Sequence, residues 1–283
     1  MSCDYTTVGH VTADVTADGS RRPGGGAFYS ALQAARLGWR ARIVTRGVGA
    51  EIEQLLAPYR EELELELVEA PCTTTLATSI AGRSRSQRML AWAGEIGEEV
   101  AVDTKILHLA PVARETPARW RGRARFAGLT PQGLVRTWSQ PGAAIVPAAL
   151  ALALLPERCD AVVLSSDERE SCAALLAGFE QGEGERHGSG PVIAVTDAAA
   201  PTELFLANGE SARVRVWPVR NPCDDLGAGD VFAAAFFIAL AEGSSPLQAA
   251  SFANAAAAVR IAGSGPGAIG DRAAVEARLD TVA

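Results

Sequence analysis

The sequence predicts an α/β fold of three layers, a mostly parallel central sheet between helices, with its site at the C-terminal ends of the strands. Three observations carry that expectation. Short apolar runs of strand length, such as 161–165 and 192–196, alternate with longer helical stretches. Glycine turns stand just ahead of the helical stretches at 27–37 and 231–241. The chain has 283 residues, 48% of them hydrophobic, enough to bury a large core.

Taken in order, Tyr5 to Gly9 reads as a short strand, and Asp14 stands near a strand end as either a substrate ligand or a turn residue. Pro23-Gly24-Gly25-Gly26 feeds a helix over 27–37 that Gly38 stops, and 42–45 is the following strand. The three glycines are consecutive, so this is not the spaced glycine fingerprint of a dinucleotide site. Residues 73–80 and 87–92 are β-prone and rich in Thr and Ser, joined by a loop over 81–86. This hairpin is expected partly outside the core, as a flap or a dimer contact. Arg83, Arg85 and Arg88 would close over a phosphate there or face solvent. The alternation resumes with a strand at 105–110 and a strand and loop over 126–133. A buried strand over 161–165 is followed by Ser166-Asp167-Glu168 and a helix of 169–178. Residues 181–190 form a surface loop, 192–196 a strand, 197–201 its loop and 212–217 another strand. An alanine-rich helix over 246–262 contains Asn254, and 263–267 is a tight loop before the last helix.

Composition excludes several classes. The net charge is −7, which suggests neither nucleic acid nor an anionic membrane as partner. Five scattered cysteines form no C-x-x-C pair, so reduced thiols in a cytoplasm are expected, and no zinc. No apolar run approaches the roughly 20 residues of a membrane span, and no signal peptide is expected from Met1 to Tyr5. Lys105 is the only lysine beside 25 arginines, which removes a Walker A loop and the strand lysine of protein kinases. Any ATP must be held by backbone amides, metal and arginine.

The stretch Asp224-Asp225-Leu226-Gly227-Ala228-Gly229-Asp230 then carries the chemistry. It ends in a helix whose first amides lack partners and so attract anions, with Asp230 beside them. An anion cradle next to a carboxylate suits phosphoryl transfer, since the amides hold charge while the carboxylate takes a proton. A glycine turn capped by an aspartate would look the same.

Two motifs decide between these. Asp224 followed by Gly227-Ala-Gly-Asp230 resembles the D-T-x-G-A-G-D signature of ribokinase-like carbohydrate kinases, the phosphofructokinase-B type. Gly24-Gly25, Ala31 and Ala35-Arg-Leu-Gly38 resemble that family's first signature, G-G-x-x-x-N-x-A with a trailing A-R-L-G. The resemblance spans nearly the whole chain and implies one ribokinase-like domain over 1–283, three-layer α/β/α with a small, reduced β lid drawn from around 11–23 and 73–92. It implies Asp230 as catalytic base and Gly227, Ala228 and Gly229 as the anion hole. Asp14 and Gly25 match sugar-contacting positions, and Tyr29 stands where the family places a substrate-touching asparagine. Glu168 matches a glutamate that organises Mg²⁺, Thr196 the turn that meets nucleotide phosphates, and Asn254 with Gly265 the adenine side, with Asp224 beside the nucleotide. The resemblance further implies a cytoplasmic, ATP- and Mg²⁺-dependent transferase, a monovalent cation as a further possibility, and a homodimer through the lid hairpin as another. Its acceptor is a small sugar, an inositol-like polyol or a nucleoside. Departures are Tyr29, Ser165, Ala198 and Asp225, the last adding a carboxylate that opposes phosphate unless a cation offsets it. They leave a second reading, a non-catalytic ligand-binding or regulatory protein on the same fold. The short stretch from Asp14 to Gly24 is expected to have cost the lid some strands.

Overall fold

A computed structural model describes residues 3–281 apart from 17, 82–83, 99 and 181–189. In chain order the elements are β1 (Cys3–Val8), β2 (Thr12–Val15), β3 (Arg21–Gly24), α1 (Gly26–Arg36), β4 (Ala41–Gly47), α2 (Gly49–Leu56) and β5 (Leu63–Glu69). Then come β6 (Thr75–Ala81), β7 (Ser84–Ala91), β8 (Thr104–Leu109), β9 (Ala124–Leu129), β10 (Arg136–Thr137), β11 (Val146–Pro147) and β12 (Ala161–Ser165). The chain closes with α3 (Ala173–Glu180), β13 (Val192–Asp197), β14 (Ala200–Phe205), β15 (Ser211–Val214), α4 (Ala228–Ala241), α5 (Pro246–Ile261) and α6 (Arg272–Asp280).

Nine strands form the main sheet in the order β15-β14-β13-β12-β9-β8-β1-β4-β5. From β5 to β13 every pairing is parallel, and only β14 with its two neighbours is antiparallel. Strand side chains alternate between faces, so the sheet feeds two cores. Tyr5, Ile43, Ile106, Val163 and Ala194 bury against α1, α4 and α5. Val8, Val44, Leu107, Leu109, Val162, Leu164 and Val195 bury on the other side with Leu176 of α3 and with Ile96, Val102, Leu134 and Leu150 from the connecting segments.

The helix α4 lies in the middle of the first core. It begins with Ala-Gly-Asp after Gly227, and a glycine costs a helix about 1 kcal/mol relative to alanine. Burial outweighs that cost. Phe232, Phe236, Phe237 and Ile238 are each at most 2% exposed, and a fully buried side chain of this kind contributes about 1.5–3 kcal/mol. Gly243, at φ 95°, ends the helix as its position predicts. The N-terminus of α4 is thereby fixed at the sheet's C-terminal edge.

A second sheet of four strands, β3-β2-β6-β7, projects from that edge. Short as it is, the stretch from Asp14 to Gly24 contributes to both β2 and β3, so it has not been stripped of lid strands. The hairpin expected over 73–92 is β6 and β7, and its strands extend to Ala81 and from Ser84. Gly82, Arg83 and the side chain of Arg85 lie outside the described residues, while Arg88 is exposed. Leu76 and Met89 give this sheet a small core of its own with Val112, Trp92, Trp138 and Ile145.

Two local expectations change. The helix expected over 169–178 starts at Ala173, because Ser165 and Glu168 form a reciprocal capping box that closes a separate 3₁₀ turn at Ser166–Glu168. Residues 197–201 are not a plain loop but a tight reversal into β14. The segment 138–147 lies along the edge of β7, with Ile145 N–H donating to Gln87 O at 2.8 Å. Among the described residues no helix is long and apolar enough to cross a membrane.

Candidate active site

A cavity of about 1120 Å³ opens between the two sheets. Its wall includes Asp14, Gly25, Tyr29, Glu168, Thr196, Asn254 and the run from Gly227 to Asp230. Single-ligand pockets span about 300–1,000 Å³, so there is room here for two small substrates side by side.

The two glycine motifs, about two hundred residues apart in sequence, meet here. Gly25 precedes α1 at φ 90°, and a Cβ there would fall 2.2 Å from His10 O. At Gly26 a Cβ would fall 2.8 Å from Asp230 Oδ1, so the first loop is bare where the aspartate approaches it. Ser30 Oγ donates to Asp230 O at 3.1 Å and ties α1 to the head of α4.

Gly227 caps α4 in the left-handed region, at φ 77°. A Cβ on it would lie 2.3 Å from the Tyr29 ring. In the turn, Ala228 N–H donates to Asp225 O at 3.0 Å, and Val231 N–H is the first to close onto a helical carbonyl, Gly227 O at 2.9 Å. Of the expected anion hole, the Ala228 amide is therefore committed. The amide of Gly229, second in the helix, precedes the first intrahelical bond and points ahead of it.

Tyr29 is only 3% exposed. Burial, then the neighbouring Asp14 carboxylate, raises its phenol well above the ordinary value, so it stays protonated. Its ring mainly packs under Gly227 rather than standing out into the cavity. In the lid, Asp14 Oδ1 accepts from Thr12 Oγ1 at 2.7 Å, and Gly24 leaves room for its carboxylate, since a Cβ there would lie 2.3 Å from Oδ2.

Across the cavity, Ser165 N–H donates to Glu168 Oε2 at 2.9 Å. Burial raises the Glu168 carboxyl above its ordinary value, against the Ser165 amide and the Arg136 charge, which pull it down. Thr196 stands at the end of β13, its Oγ1 donating to Leu164 O at 3.4 Å. Asn254 borders the cavity, but its amide is spent within the fold. Oδ1 accepts from Thr202 Oγ1 at 2.9 Å and Nδ2 donates to Arg215 O at 3.2 Å.

Asp224 and Gly265 correct the sequence reading more fully, because neither is part of the cavity wall. Asp224 Oδ1 accepts from Leu226 N–H at 3.0 Å, and Oδ2 accepts from Gly265 N–H at 3.0 Å and from Arg260 Nη2 at 2.8 Å. The pair braces two loops behind the site. Burial alone would raise the Asp224 carboxyl, but the Arg260 hydrogen bond and the two amides hold it below the ordinary aspartate value. A depressed folded value adds stability above the ordinary carboxylate range that is lost as pH falls through it. The thermal midpoint of the wild type should therefore drop below about pH 4, the ordinary aspartate value, and Asp224→Asn should start lower and lose less over that acid range. Equal acid profiles would refute the brace.

Sequence reasoning missed several wall residues. Ser86, Gln87, Ile145, Val146 and Pro147 enter from the lid side, and Gln132 and Arg136 from the turn after β9. Val216, Trp217, Pro218, Val219 and Pro222, with Ala257 and Ile261 of α5, make an apolar flank beyond the α4 terminus. Six carboxylates (Asp14, Asp167, Glu168, Asp197, Asp225, Asp230) face two arginines (Arg136, Arg215) among the described wall residues. A bare polyphosphate would be repelled by this balance, so one must arrive with a cation. Among the described residues no group of three or more His, Cys, Asp or Glu is arranged to hold a metal. A magnesium bound through one or two carboxylates plus substrate phosphates needs no such group, and Glu168 fits that manner of binding.

The pfkB family carbohydrate kinase profile matches residues 6–271. No curated protein matches the chain. Among solved structures, a pyrophosphate-dependent kinase of the ribokinase family in complex with sulfate superposes with a TM-score of 0.74 at 21% identity, over 96% of this chain and 99% of that one. Arabidopsis thaliana ribokinase, complexed with ribose and ATP, gives 0.71 at 17% identity, over 99% of both chains. A Methanocaldococcus jannaschii nucleoside kinase gives 0.71 at 16%, over 99% of this chain and 100% of that one. At these identities the likeness is one of fold.

Proposed function

The chain belongs to the pfkB family of carbohydrate kinases, and from that premise we propose that it moves the γ-phosphoryl group of ATP to a hydroxyl of a small sugar, polyol or nucleoside. The observation that carries the proposal is Asp230 seated at the head of α4, against the bare Gly26 backbone and between the two sheets. In this reading the acceptor lies under the lid with a hydroxyl toward Asp230. The carboxylate takes the proton as oxygen attacks phosphorus, the bond from phosphorus to the donor breaks, and ADP leaves. The Gly229 amide, at the head of α4, holds the charge on the transferring group. Glu168 would orient a magnesium that neutralises donor oxygens when bound. The apolar flank from Val216 to Pro222 supports a nucleotide, since it offers a dry wall to a base.

A second donor, pyrophosphate, is favoured by one observation. The Asn254 amide is already paired within the fold, which leaves the flank with few polar groups to read a base. A pyrophosphate-dependent kinase also shares this fold. The intact Gly-Ala-Gly-Asp run and an ordered head of α4 weigh against the non-catalytic alternative. The two donors separate in one assay, which follows product formed from ATP against product formed from pyrophosphate.

Asp14 supplies a prediction about the acceptor. If it receives acceptor hydroxyls, Asp14→Ala leaves them unpaired at about 1–3 kcal/mol, or about 10–100-fold in kcat/KM for the acceptor. The donor's KM should stay near the wild-type value. Equal effects on both substrates would reduce Asp14 to a lid residue.

A further inference from the structure

Behind the anion-binding turn lies a charge that the reaction above does not use. Arg260 of α5 is fully buried, at 0% exposure. Its guanidinium sits among four oxygens of two loops. Nη1 donates to Asp224 O at 3.2 Å and Gly263 O at 3.3 Å, while Nη2 donates to Leu226 O at 2.7 Å and Asp224 Oδ2 at 2.8 Å. Its Cζ is 6.0 Å from the centroid of the Tyr29 ring, the ring that packs under Gly227. One buried cation thus touches both the residues that set the turn and the ring that supports it.

Three backbone carbonyls and a carboxylate converging on one point are an oxygen cage suited to a monovalent cation. Here the cage is filled by the protein itself. The fixed fork of a guanidinium binds planar arrays of oxygens. Removing it would leave the Asp224 carboxylate and three carbonyls converging without a counter-charge.

We infer that Arg260 is a built-in substitute for a monovalent cation: it holds the 224–229 turn in its anion-binding shape, and the enzyme requires no potassium or similar ion. This rests on the kinase reading for its activity measurements, and on the geometry of Arg260 alone for its binding measurements. Arg260 is a positioning residue, acting through Leu226 and Gly227 rather than on substrate.

The test compares salts. Wild-type turnover, and binding of MgATP and of magnesium pyrophosphate by calorimetry, should be the same in potassium, ammonium, sodium or choline chloride at equal ionic strength. Arg260→Ala should lose turnover by about 10²-fold, the scale of a one-ångström misplacement. Potassium or guanidinium, but not choline, should restore part of it. A residue that merely stabilised the fold would give no such ion-specific rescue. Wild-type activation, or tighter donor binding, by potassium over choline would overturn the inference, and so would a folded Arg260→Ala with unchanged kinetics. If Arg260→Ala does not fold, the wild-type salt series decides the matter alone. If no acceptor is ever phosphorylated, the kinase reading fails, while the calorimetric series still decides whether donor binding needs a monovalent ion.

Discussion

Asp230→Asn should reduce kcat by about 10²–10⁴, the usual contribution of a general base, while leaving the thermal midpoint nearly unchanged. The substitution keeps the size of the side chain that lies against Gly26 and keeps the backbone carbonyl that accepts from Ser30 Oγ. It removes the one property the reaction needs, a carboxylate able to take a proton. Donor binding should persist or tighten, because a negative charge near the donor phosphates has gone. The thermal shift produced by MgATP reports this separately from turnover. A variant that turns over as fast as the wild type would remove Asp230 from the chemistry and leave it a helix-terminal residue.

Gly227→Ala should be costly in both stability and turnover. At φ 77° an alanine is strained by about 1–2 kcal/mol, and its methyl group would stand 2.3 Å from the Tyr29 ring. Overpacking of that kind adds about 1–3 kcal/mol. The turn cannot yield freely away from the ring, because Arg260 holds Leu226 O and Asp224 O. Any shift therefore moves the amides that follow, and losing one donor of an oxyanion-type site costs about 10²–10³ in kcat. Shortening the ring as well, in Gly227→Ala/Tyr29→Ala, should restore part of the stability, giving less than additive losses. Strict additivity would mean that the ring and the glycine do not constrain one another.

Much of the fold was legible because its signals are local. The buried strand at 161–165 is unbroken and apolar, and glycines punctuate the ends of α1 and α4. The strand β5, by contrast, alternates Leu with Glu at the sheet's edge, and β14 opens on an alanine-proline pair that resembles a loop; neither was anticipated. The segment 138–147 carries no periodicity, and its docking along β7 is decided by tertiary contacts such as that of Ile145 with Gln87. The site divides in the same way. Asp230, Gly25, Gly227, Gly229, Asp14, Thr196 and Glu168 stand on short motifs, and the fold places them on the cavity wall. Asp224, Gly265 and Asn254 carry polar groups that the fold itself uses, a matter of partner geometry rather than of residue type. Tyr29 marked a departure in the sequence, but only the packed structure shows it lying under Gly227 with Arg260 beyond it. Arg260 itself, one of 25 arginines near the end of an alanine-rich helix, carried no signal at all.

The most direct measurement of the kinase claim is a transfer assay with two donors. Wild type and Asp230→Asn are each incubated with magnesium and either ATP or pyrophosphate across pentoses, hexoses, inositols and nucleosides, and phosphorylated acceptors are identified by mass spectrometry. The proposed mechanism predicts at least one acceptor phosphorylated stoichiometrically with ADP release by the wild type, and a loss of about 10²–10⁴ in that rate for Asp230→Asn. A product formed from pyrophosphate but not ATP would move the donor while keeping the chemistry. No phosphorylated acceptor with either donor, from a protein that MgATP nonetheless stabilises, would contradict catalysis and leave a binding protein on a kinase fold.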